Sequence, residues 1–180
     1  MTPMLADGPD RHIHTHFGAR QVSDLLQVIF ASEILSPSSR LWIVSPWISD
    51  IPVLDNRANT FSSLVGQWGR RQVPLSAMLG YLARRGTRLL VATRPDPHNR
   101  DFLNQLRLQG ADEERLIIRE AEALHEKGIL GDRYYLSGSM NFTRNGISFN
   151  EEVVHFFTAA NSVASNRQLF VKRWDTPLRS

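Results

Sequence analysis

The residue types able to do chemistry concentrate in LHEKGILGDRYYLSGSMNFTRNGISFNEE, residues 124–152. His125 and Lys127 stand two apart, so on a strand they project from the same face. Asp132 follows at a Gly131-Asp132 turn, Gly138-Ser139-Met140-Asn141 comes after the next strand, and Glu152 closes the set. An imidazole is an adequate nucleophile toward phosphorus and an adequate proton donor near neutral pH. An ammonium, a hydroxyl and an amide N–H suit the non-bridging oxygens of a phosphate as charge shifts in the transition state. Carboxylates orient an imidazole and fix its tautomer. They are too few and scattered here to cage Mg²⁺. The coherent expectation is phosphate chemistry with no metal and no cofactor.

Each of these residues alone is bland. A lone His is usually structural, Gly-Ser is usually a turn, and Asp132 by itself is a turn residue. With six His in 180 residues, His-x-Lys-(x)4-Asp arises by chance with probability on the order of 0.004. The ordered set is therefore the signal. The basic residues add a smaller one: 19 are Arg and only two, Lys127 and Lys172, are Lys. Compositional bias accounts for most of that, yet a retained Lys at 127 fits a place that wants a compact ammonium rather than a planar fork.

These groups need a scaffold. Val22, Leu25, Leu26 and Ile29 follow helical spacing, and Ser36-Pro37 ends that helix. Leu41–Val44 reads as a buried strand closed by Ser45-Pro46. Leu75, Met78, Leu79 and Leu82 make a second helix stopped at Gly86. Residues 88–92 form a strand, 99–109 a helix ending at Gly110, and 116–118 another strand. That alternation implies an α/β layered fold with a partly parallel sheet. Residues 123–138 then read as two strands joined by the Gly131-Asp132 turn, 151–158 as a further strand, and 162–173 as a last helix. Residues 47–73 show no regular pattern and fit either an insertion over a binding site or a surface loop. Trp42, Trp47, Tyr134 and Tyr135 sit in strand patterns and read as core.

The length suits one domain with a core of useful size, expected over residues 18–180 behind an N-terminal arm, residues 1–17. No run approaches ~20 apolar residues, so no membrane span is expected. MTPMLADGPDRHIH has no stretch like a signal peptide, and there is no cysteine. The expectation is a cytoplasmic protein without disulfides or sulfur metal sites. His12, His14 and His16 alternate, which fits a polar edge strand better than a metal site.

His125-Glu126-Lys127, four residues, Asp132 and then Gly138-Ser139-Met140-Asn141 resembles the signature of the phospholipase D family, the HKD motif. Asn150-Glu151-Glu152 is similar to the Asn-x-Glu of the family's bacterial nucleases. The resemblance extends to the strand ending Ser45-Pro46-Trp47 and the helix–strand run at 75–92, about three quarters of the chain. One interval departs: five residues separate Asp132 from Gly138 where six is commoner. The resemblance implies a phospholipase D-like α/β/α sandwich with a mixed central sheet. It makes His125 the nucleophile that becomes a phosphohistidine, gives phosphate binding to Lys127 and Asn141 with Ser139 adding a hydrogen bond, and has Asp132 and Glu152 support the histidines.

In-line displacement needs a nucleophile on one side of phosphorus and a proton donor on the other. One imidazole cannot serve both, and the chain has no second His-x-Lys. A twofold homodimer sharing two copies of His125 is the economical arrangement. Nucleic acid is the favoured substrate by analogy with short single-motif members of the family. Arg70, Arg71, Arg84, Arg85 and Arg88 fit a phosphate track or, more ordinarily, a solvated helix face. The rival readings are a phospholipid or other phosphodiester hydrolase and a non-catalytic nucleic-acid-binding subunit. Proteins of this size also resemble subunits of bacterial systems that restrict foreign DNA.

Overall fold

Strand β2 (Arg40–Val44) is apolar along its length because both of its faces are covered: Leu41 and Ile43 enter one core, Trp42 and Val44 the other. β5 (Arg88–Thr93) divides the same way, Leu89 and Val91 against Leu90 and Ala92. Strands buried on both sides carry continuous apolar runs rather than alternation. The computed structural model describes residues 11–14, 19–110, 114–148 and 153–175, the side chains of 11–14, 19, 20, 65 and 148 excepted.

Within these residues seven strands form one sheet in the order β1 (Arg11–His14), β9 (Val153–Phe157), β8 (Tyr135–Gly138), β7 (Gly128–Leu130), β2, β5, β6 (Leu116–Glu120). β2, β5 and β6 are parallel, and β7, β8, β9 and β1 continue antiparallel. The parallel steps cross over through α3 (Leu75–Arg84) and α4 (Arg100–Leu108). These two helices and α1 (Ala19–Leu35) cover one face through Ile29, Phe30, Leu79 and Phe102. A five-residue helix, α5 (Arg144–Ser148), precedes β9, and α6 (Ala160–Phe170) covers the opposite face through Val163, Phe170 and, just beyond it, Trp174. The result is the expected α/β/α sandwich with a mixed sheet.

The second core is pinned by aromatic geometry. The Phe170 ring meets Trp42 edge-on at 6.2 Å and Tyr135 at 5.5 Å. Asp175 pairs with Arg40 and accepts from Trp42 Nε1 at 3.2 Å, which fastens the C-terminal helix to β2.

Residues 47–73 are more regular than their sequence suggests. β3 (Pro52–Asp55) and β4 (Gln72–Pro74) form an antiparallel hairpin around α2 (Ser62–Val65). Phe61 packs on the core and Trp68 meets Tyr81 edge-on at 5.1 Å, so the segment lies along α1 and α3. Its strands are short, bulged and bounded by Pro52 and Pro74, positions a sheet edge tolerates. β1 falls within the stretch read as an arm and supplies the sheet's edge strand, with His12 opposite His155 and His14 opposite Val153. His16 lies outside the described residues. Among the described residues no helix is long and apolar enough to cross a membrane.

Candidate active site

Sheet register decides which residues can meet. Val44 is paired with Gly128, Gly128 with Ser137, and Ser137 with His155. The segments after β2, β5 and β8 and the segment before β7 therefore emerge at one edge of the sheet. Ligands of α/β sheets bind outside the carboxyl ends of the parallel strands, which is this edge.

His125 and Lys127 lie in the loop before β7, not on the strand expected for them. Leu124, fully buried in the second core, anchors that loop. His125 is exposed, and the Lys127 ammonium donates to the His125 carbonyl oxygen at 2.9 Å. Lys127 borders a small recess with Ser137, Gly138 and Met140. The first residue of β7 has no room for a side chain: a Cβ at Gly128 would lie 2.6 Å from the Leu136 carbonyl oxygen.

Gly138 allows still closer packing, since its Cβ would sit 2.1 Å from the Val153 carbonyl oxygen. That approach lets Ser139 N–H donate to Val153 O at 3.0 Å while Val153 N–H donates to Ser139 Oγ at 3.1 Å. The Asn141 side chain is reached from β2: Ser45 Oγ lies 3.4 Å from Asn141 Oδ1 and 2.9 Å from Trp47 O. Four of the expected site residues, His125, Lys127, Ser139 and Asn141, thus share one edge. Glu152 lies outside the described residues.

Asp132 does not join them. It sits past the far end of β7, where its carboxylate accepts from Ser39 N and Ser39 Oγ and pairs with Arg167 Nη2 at 3.2 Å. The whole length of β7 separates it from His125. The expectation that Asp132 supports the histidine is corrected: it pins the β7–β8 turn to the start of β2. Of the five arginines weighed as a phosphate track or a helix face, three have described positions away from His125. Arg84 and Arg85 bond the Gln109 and Ile34 carbonyls, and Arg88 opens β5 at the opposite edge from His125.

Two residues at the site carry no motif. Arg94, directly after β5, donates from Nε to Leu124 O at 2.9 Å, and its guanidinium lies 5.0 Å over the Trp47 ring. Nη2 is 3.2 Å from His125 Nδ1 and 3.3 Å from Nε2. Trp47, expected in the core with Trp42, Tyr134 and Tyr135, is instead half-buried at this edge. Its Nε1 donates to Asp96 at 3.2 Å. The His98 backbone N–H and then that indole hold the Asp96 carboxyl below its ordinary range. The signal for Arg94 was its place, the first residue after a buried parallel strand. Among the described residues no cluster of three or more His, Asp or Glu is arranged to hold a metal.

No protein-family model matches the chain, and no curated protein matches it in sequence. Its fold does match solved structures. NucT from Helicobacter pylori is 12% identical, with a TM-score of 0.60 over 91% of this chain and 94% of that one. Nuc from Salmonella typhimurium, a phospholipase D family member, is 16% identical, with a TM-score of 0.59 over 93% and 94%. The archaeal chromatin protein TrmBL2, described for its mode of DNA binding, is 12% identical, with a TM-score of 0.55 over 96% of this chain and 54% of that one. The chain has the phospholipase D fold.

Proposed function

We propose that the protein is a metal-independent phosphodiesterase that cleaves nucleic acid through a phosphohistidine on His125, in a site shared by two copies of the chain. The observation that carries this reading is the exposed imidazole of His125 on the same sheet edge as Lys127, Ser139 and Asn141. An exposed imidazole at an open edge leaves room for an extended substrate and for a second subunit.

In the proposed reaction a His125 ring nitrogen attacks phosphorus, the N–P bond forms, and the P–O bond to the leaving group breaks. The partner subunit's His125 gives its proton to the departing oxygen. That same imidazole then takes a proton from water, which attacks phosphorus and releases His125. Lys127, with the amide N–H of Asn141, balances charge on the non-bridging oxygens. Glu152 is assigned to orient an imidazole. Asp132 takes no part in the chemistry on this reading, because its contacts are all at the other end of β7.

Nucleic acid is the substrate class because the motif resembles that of compact nucleases and the same fold occurs in a DNA-binding chromatin protein. The test is cleavage of DNA, RNA and phospholipid in excess chelator, with His125→Ala as control. Chelator-resistant, His125-dependent cleavage of DNA or RNA is the expected result. Cleavage of lipid alone replaces the substrate assignment. Nucleic-acid binding without cleavage of any substrate makes the protein a binding subunit.

A further inference from the structure

We infer that Arg94, which lies outside the motif, is a substrate-contacting residue whose guanidinium grips a non-bridging oxygen of the phosphodiester at His125. The inference rests on the proposed phosphate chemistry and adds to it the second cation of the half-site.

Arg94 is held as a preorganised group. Its backbone N–H donates to Pro46 O at 3.4 Å, and its carbonyl accepts from Asn99 Nδ2 at 2.9 Å. Asn99 is itself buried, donates also to Pro46 O at 3.0 Å and accepts from Ile48 N at 2.8 Å. One buried amide thus locks the loops after β2 and β5 together. The side chain is fixed from two further directions, by Leu124 O at Nε and by the Trp47 ring beneath it.

What remains of the guanidinium is turned to His125. Nη2 is almost equidistant from the two His125 nitrogens, whereas a bond along one in-plane lone pair would leave the other well out of reach. Among the described residues Nη1 has no acceptor, and none of the ion pairs involves Arg94. The nearby Asp96 oxygens already accept from His98 N and Trp47 Nε1. A permanently charged planar fork, rigidly held against an exposed imidazole with N–H groups to spare, is complementary to a tetrahedral oxyanion. As the His125 N–P bond forms, the non-bridging oxygens are carried to within reach of those N–H groups, so charge is met without reorganisation. The immobilised fork also explains why a flexible lysine would not replace it.

The experiment pairs two readouts on wild type, Arg94→Gln, Arg94→Lys and the distant control Arg88→Gln. The first is inorganic phosphate binding followed by calorimetry and by tryptophan fluorescence. The second is turnover of an activated phosphodiester, with and without added guanidinium. Arg94→Gln is expected to weaken phosphate binding about tenfold or more. It should lower kcat/KM by roughly 10²–10³, guanidinium should restore part of the loss, and Arg94→Lys should fall between. Arg88→Gln should match wild type. Circular dichroism checks that each variant folds. If wild type turns over substrate and Arg94→Gln equals it in both readouts, the inference fails and the proposed function stands. If wild type binds phosphate through Arg94 but turns over no phosphodiester, the contact stands and the proposed function fails. Wild type binding phosphate no better than Arg94→Gln, or loss that guanidinium leaves unchanged, overturns the inference.

Discussion

The Asp132 carboxylate accepts the Ser39 backbone N–H at 2.7 Å, joining the β7–β8 turn to the start of β2 on the edge opposite His125. The Ser39 hydroxyl and Arg167 complete its partners. Asp132→Ala is therefore expected to cost roughly 1–3 kcal/mol of stability, because the Ser39 N–H loses a charged acceptor. Its kcat should stay at the wild-type value. Urea unfolding together with steady-state rates separates these two effects.

Gly138 has no room for a methyl group, since a Cβ would meet the Val153 carbonyl oxygen at 2.1 Å. Gly138→Ala should push β8 and β9 apart beside the site and cost about 1–3 kcal/mol. Ser139 loses its reciprocal bonds to Val153 in the same movement, so activity should fall more than stability alone requires. Thermal melts and rates measured well below the melting point test this.

Phe170 closes the second core against Trp42 and Tyr135. Phe170→Ala is expected to destabilise by about 3–5 kcal/mol, the transfer loss plus the cavity left behind. Near-ultraviolet circular dichroism should report looser packing around Trp42.

Burial pushes the Tyr135 phenol up to about 12, and Glu126 adds to the effect. The folded state thus holds its proton more tightly than the unfolded chain, whose phenols ionise near 10. The sign follows from linkage: stability is full below pH ~10 and declines as pH rises toward the folded value. Tyr135→Phe should flatten the fall in melting temperature between pH 10 and 12.

The legible parts of the fold were the ones with a single periodicity. Strand β5 announces itself because Leu89 through Ala92 are apolar on both faces, and α3 because its apolar residues recur at helical spacing up to Gly86, which adopts a φ of +106°. The β3–β4 hairpin left no such trace, since Val53 and Leu54 are both buried side by side and prolines bound its strands. At the site, spacing placed His125 and Lys127 together but put them on a strand that begins only at Gly128. It placed Asp132 in the chemistry, although its role follows from Ser39, 93 residues earlier. Among 19 arginines Arg94 was marked only by its place directly after β5. Its importance comes from the parallel pairing of β2 with β5, which brings Trp47 beneath it and Leu124 beside it.

Phosphohistidine formation is tested most directly by quenching the protein in acid-free denaturant during turnover, with chelator present, and mapping phosphoryl adducts by mass spectrometry. An acid-labile, base-stable adduct on His125 is expected, absent from His125→Ala. Cleavage that continues in His125→Ala, or that chelator abolishes with no adduct formed in its absence, would contradict a phosphohistidine intermediate.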